Sequence, residues 1–86
     1  MYEIIGKIMA SKYKLKVMLE LSKGMKTPSQ LVKNTGLSAS SISRTLKELL
    51  KMSVVICITP SLRKGKIYKL TNFGYEILDK INNILS

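Results

Sequence analysis

Histidine is absent from this 86-residue chain, and cysteine occurs once, at Cys57. Structural zinc sites and disulfide frameworks need several thiolates or imidazoles, so neither can be built. Acids are also scarce, with 5 Asp and Glu against 15 Lys and Arg. The only close acidic pair, Glu76 and Asp79, stands three apart with no histidine or second cysteine nearby. Such a pair solvates a helix face and supplies no general acid–base couple. An enzyme is therefore not expected, nor is a metal or a cofactor. Long apolar runs are missing too. The opening stretch MYEIIGKIMA is broken by Glu3 and Lys7 and is too short for a membrane span or a secretory signal. The expected location is cytoplasmic. Cys57 lies inside the apolar run VVICITP, where a buried, inert thiol is expected.

What the chain has in excess is positive charge. A net +10 in one domain spanning residues 1–86 implies a polyanionic partner, either nucleic acid or an anionic membrane surface. The basic residues are spread over several predicted elements and do not follow one amphipathic face, which disfavours the membrane. Charge serving only solubility is the other reading, but such surfaces usually mix both signs. An apolar content of 45% is enough for a core, so disorder is excluded.

The densest local pattern is TPSQLVKNTGLSASSISRTLKELLK, residues 27–51. Thr27 and Gln30 form a capping-box spacing, with Pro28 at the first helical position. Gly36 suits a helix end that needs positive φ, Leu37 plugs the turn, and Ser38 caps a second helix. Two short helices joined this way make a helix-turn-helix. In the second, Ile42, Leu46 and Leu49 fall within about 60° of one another at 100° per residue. Ser40, Arg44, Lys47 and Lys51 fall on the opposite side. Taken alone, that basic side is a solvated face. The charge of the whole chain and the segment that follows turn the reading toward a helix lying in the major groove of DNA.

Elsewhere the periodicities are plain. Tyr2, Ile4, Ile5, Ile8 and Met9 suit a short helix too apolar to stand alone in water. Ser11 marks a bend or caps a helix with an apolar stripe at Leu15, Val17, Met18 and Leu21, ending near Lys23 and Gly24. Residues 25–26 offer one edge-strand rung. Residues 54–60 and 66–71 read as strands, joined by SLRKGK with Arg63 and Lys64 at its tip and Lys66 and Lys69 behind. Thr71 caps a last helix over 72–85, striped by Phe73, Ile77, Ile81 and Ile84 and widened by Gly74, Leu78 and Leu85.

The order helix, helix-turn-helix, basic hairpin, helix resembles the winged-helix DNA-binding domains of small prokaryotic regulators. The MarR and ArsR-like groups, and their single-domain archaeal relatives, look most similar. The resemblance runs from Ser11 to the C-terminus and is carried by GLSASSISRTLKELLK, RKGKIYKLT and LTNFGYEIL. It implies a mainly α fold with a small β-hairpin, a winged helix-turn-helix, acting as a dimeric regulator on double-stranded DNA. It further implies that Ser40, Ser41, Arg44 and Lys47 face bases and nearby phosphates. On the same basis Ser38 contributes its backbone N–H, and Arg63 and Lys64, with Lys66 behind them, contact DNA from the wing. Such regulators usually carry glycine where Ser53 stands. A serine at positive φ is strained, so a locally different turn is expected.

Residues 1–10 and 72–86 are expected to form a homodimer, because their apolar faces exceed what one small core absorbs. The residues concerned are Ile4, Ile5, Ile8, Ile77, Leu78, Ile81, Ile84 and Leu85. The alternative is that the N-terminal segment folds back over the last helix of its own chain. A protein-interaction or architectural nucleic-acid-binding module of the transcription or chromatin machinery is the competing function.

Overall fold

In the computed structural model, which describes residues 1–86, the chain order is α1 (Tyr2–Met9), α2 (Lys12–Leu21), α3 (Pro28–Thr35), α4 (Ala39–Lys51), β1 (Val55–Cys57), β2 (Tyr68–Leu70) and α5 (Asn72–Leu85). Four of the five helices start at a hydroxyl that accepts an otherwise orphaned N–H. Ser11 accepts from Lys14 at 3.2 Å, Ser38 from Ser41 at 3.1 Å and Thr71 from Gly74 at 2.9 Å. At α3 the capping box is complete: Thr27 accepts from the Gln30 N–H, and the Gln30 side chain accepts from the Thr27 N–H. Gly36 closes α3 in the left-handed region at φ 76°.

The hairpin is shorter than its sequence suggests. Of residues 54–60 only Val55–Cys57 form a regular strand, in the register Val55 with Leu70, Ile56 with Lys69 and Cys57 with Tyr68. Val54 still belongs to the turn leaving α4, its N–H donating to the Leu49 carbonyl. Beyond Cys57 one backbone bond remains, from the Ile58 N–H to the Ile67 carbonyl at 2.9 Å, and the ladder then yields to a side chain, the Ile67 N–H donating to Thr59 Oγ1 at 2.9 Å. Pro60, without an N–H, cannot resume it. Of residues 66–71 only Tyr68–Leu70 form the second strand, and Thr71 has already become the cap of α5. The rung expected at 25–26 is present. Lys26 and Tyr68 exchange backbone hydrogen bonds of 3.0 and 2.9 Å on the side of β2 away from β1. Cys57 is only half-buried, not sealed in the core as its apolar neighbours implied.

Ser53 does not avoid strain by taking another turn. It adopts φ 62°, the left-handed conformation that favours glycine. The neighbouring contacts hold it there. The Thr71 hydroxyl donates to the Ser53 carbonyl at 2.7 Å, and the Thr71 N–H donates to the Val54 carbonyl at 3.0 Å. Gly74 lets α5 approach so closely that a methyl group there would run into the Val54 carbonyl.

One apolar core joins all five helices and the hairpin, with Val17, Met18, Leu21, Leu31, Ile42, Leu46, Leu49, Val54, Val55 and Leu70 at its centre. Helix α1 folds back against α5 and seals one end. Ile5, Ile8, Ile77 and Ile81 are consequently buried in the chain's own core, each no more than 3% exposed. This corrects their expected place on a free apolar surface: intramolecular packing absorbs half of that set. Ile4 and Leu78 are half-buried, and only Ile84 and Leu85 remain well exposed, at 55% and 64%. No helix is long and apolar enough to cross a membrane.

Candidate nucleic-acid interface

Helix α4 has one buried side and one wet side. Ile42, Thr45, Leu46 and Leu49 face the core. Ser40, Ser43, Arg44, Lys47 and Lys51 are exposed. At the helix start, Ser38, Ser40 and Ser41 come together. The Ser38 hydroxyl accepts from the Ser41 N–H, donates to the Ser41 hydroxyl at 2.9 Å and lies 3.3 Å from that of Ser40. Ser41 is half-buried, its hydroxyl accepting from that of Ser38, while Ser40 stays open to solvent.

The wing supplies the second set. Arg63, Lys64 and Gly65 are exposed at the hairpin tip, and Lys66 is half-buried at its base. Two clefts link this tip to the helix-turn-helix. One, of about 260 Å³, has Ser43 and Lys47 of α4 on one wall and Lys66 and Tyr68 on the other. The second, of about 420 Å³, runs between Ser29 at the start of α3 and Arg63, Lys64 and Lys66. Lys66 and Tyr68 line both, so the basic side chains of helix and wing form one continuous surface. Ser29, Ser43 and Tyr68 belong to this surface without having been singled out from the sequence. Ser43 lies between the buried stripe and its opposite side on the helical wheel. The hydroxyl of Ser29, just after Pro28, was the available hint for the second cleft.

Charge on this face is uncompensated. Between Thr27 and Leu70 the only acid is Glu48, which pairs with Lys14 at 3.0 Å and so ties α4 to α2. Glu20, on α2, accepts from Lys23 at 2.9 Å and from Asn34 at 3.2 Å. The hydrogen bond from Lys23, more than any other contact, holds its carboxyl below the usual range. Glu3, Glu76 and Asp79 sit on α1 and α5. Burial pushes the Tyr68 phenol above its ordinary value, so at neutral pH its hydroxyl remains a hydrogen-bond donor. No three His, Cys, Asp or Glu side chains converge as a metal site would require.

Comparison with known proteins places this geometry among relatives. A family profile described as the N-terminal domain of the methanogenesis regulatory protein FilR1 matches residues 2–86. Among solved structures, the chain is similar to a MarR-family transcriptional regulator from Enterococcus faecalis. The identity is 24% and the TM-score 0.83, over 98% of this chain and 78% of that one. It is similar to a mutant MarR from E. coli complexed with operator DNA, at 21% identity and TM-score 0.81, covering 98% and 61% of the two chains. It is also similar to TubR from Bacillus thuringiensis serovar israelensis bound to 24 bp of tubC, at 18% identity and TM-score 0.80, covering 95% and 91%. The chain spans 51% of RV1404 from Mycobacterium tuberculosis, another structure of this fold, with TM-score 0.76 and 17% identity over 85% of this chain. These likenesses establish a winged helix-turn-helix fold. A search of curated proteins gave no match.

Proposed function

This chain belongs to the family of the FilR1 N-terminal domain, and from that premise we propose that it binds double-stranded DNA sequence-specifically as a transcriptional regulator. The observation that carries the reading is the continuous cationic surface from Lys47 through Lys66 to Arg63 and Lys64, with Glu48 already neutralised beside it. Phosphates account for most of the attraction in such interfaces, and base edges account for the discrimination. Helix α4 enters the major groove, where Arg44 reaches bases from the middle of the exposed face and Ser40 allows close approach. The wing lies along the neighbouring backbone or minor groove. Two proteins of the same fold were solved on DNA, which supports this docking. The reading assigns the chain no catalysis and a cytoplasmic place of action.

The regulator acts as a homodimer. Ile84 and Leu85 stay exposed at the end of α5, beside half-buried Leu78, and an isologous contact there covers them. Two α4 helices then stand about one DNA turn apart, roughly 34 Å, and read a pseudo-palindrome. In vitro selection of bound duplexes followed by sequencing tests both statements. A preferred motif with two-fold symmetry is expected. Recovery of unrelated sequences would instead assign the chain to general architectural binding.

A further inference from the structure

Lys66 is half-buried, yet its ammonium pairs with no acid: the chain's two ion pairs are Lys14 with Glu48 and Lys23 with Glu20. The Lys66 stem is partly covered while its ammonium stays open to solvent in the cleft, free to meet an anion. Beside it the Tyr68 hydroxyl is also without a partner, although its residue is held firmly. The Tyr68 backbone is bonded to Lys26 on one side of β2, and its register partner on the other side is Cys57. Ser43 and Lys47 face these two groups across the smaller cleft, and Ser29 stands on the rim of the larger one. All of these groups can donate hydrogen bonds, and no carboxylate lies among them. A base edge offers donors and acceptors together, whereas the non-bridging oxygens of a phosphodiester only accept and carry one negative charge.

We infer that a single backbone phosphate of bound DNA seats over Lys66, held also by Tyr68 and Lys47, and that this shared phosphate fixes the wing in register with α4. The inference rests on the DNA-binding reading above. It makes Lys66 and Tyr68 positioning residues: they carry no base information but set where Arg44 stands relative to the wing. The phenol contributes as a neutral donor, consistent with its burial.

The test uses the full chain and a selected duplex carrying a methylphosphonate, an uncharged linkage, at one phosphate at a time. One position per half-site should weaken binding by on the order of tenfold. Lys66→Gln should weaken binding to the unmodified duplex, lower the slope of log K against log salt by about 0.9, and sharply reduce the penalty at that position, leaving the part carried by Lys47 and Tyr68. Tyr68→Phe keeps the ring in place. It should diminish the penalty at the same position and leave the salt slope unchanged, while Arg63→Ala leaves the penalty intact. Thermal midpoints of the variants separate lost folding from lost contact. Penalties altered at two different phosphates by Lys66→Gln and Tyr68→Phe would overturn the shared phosphate. So would a profile that Lys66→Gln leaves unchanged, and in either case DNA binding itself would stand. If the unmodified chain binds no duplex, both readings fall together.

Discussion

Two residues at the joint between α4, the wing and α5 show how differently the left-handed region and a close approach act. Ser53 holds φ 62° against the steric preference of any side-chain-bearing residue. Relief of that strain is worth about 1–2 kcal/mol and the added chain entropy of glycine costs about 0.5–1 kcal/mol. Ser53→Gly should therefore stabilise the fold slightly, by about 0.5–1 kcal/mol in urea melts. Gly74→Ala should do the reverse, costing about 3 kcal/mol, because the added methyl meets a backbone carbonyl that cannot move aside. Effects of opposite sign at these two sites are the check on this joint. On the outer face of α4, Arg44→Ala should cost about 1–3 kcal/mol of binding and relax preference at one base position. Equal losses on selected and random duplexes, measured by titration, would place Arg44 on phosphate instead. The sequence revealed Arg44 because one helical wheel suffices to place it. It did not reveal the conformation of Ser53, which is imposed by Thr71, eighteen residues away in the chain.

At the scale of elements, the helices and the place of the hairpin were legible, and the extent of its strands was not. Caps and stripes are local: Thr27, Ser38 and Thr71 were placed from spacing alone, and each caps the helix expected of it. A three-residue ladder is decided elsewhere, by the Lys26 bridge, by Thr59 displacing a ladder bond and by Pro60. The same non-local packing brought Ser29, Ser43 and Tyr68 to the cationic surface, which no single-helix wheel contains. The wing tip differs from α4 in kind. Arg63 and Lys64 are exposed and lie beyond any regular pairing. Replacing both by Ala should weaken all duplexes evenly and reduce the salt slope by about 0.9 per lost phosphate contact. Binding isotherms at several salt concentrations read both effects at once, and a loss confined to the selected duplex would contradict a backbone role for the wing.

For the whole molecule, the apolar ends divide into what the chain covers itself and what it leaves open. Amphipathic stripes state that a face is buried and not by what. That is why Ile5, Ile8, Ile77 and Ile81 fit a dimer in the sequence and a core in the fold. The substitutions that probe assembly must therefore avoid them. Ile84→Glu with Leu85→Glu changes two exposed residues and should leave the thermal midpoint nearly unchanged. Sedimentation should shift from dimer to monomer, and binding to a two-half-site duplex should weaken as the linked half-sites become independent. A chain that already sediments as a 9.7 kDa species at micromolar concentration would contradict the dimer. The central claim is that α4 and the wing together read duplex DNA through charge and base contacts. Its most direct test is the affinity of the unmodified chain for a selected and an unrelated duplex, measured across a salt series. Both affinities should fall steeply and linearly on logarithmic axes, with the preference for the selected duplex surviving after non-specific binding has gone. A flat response to salt, or two lines that coincide throughout, would contradict it.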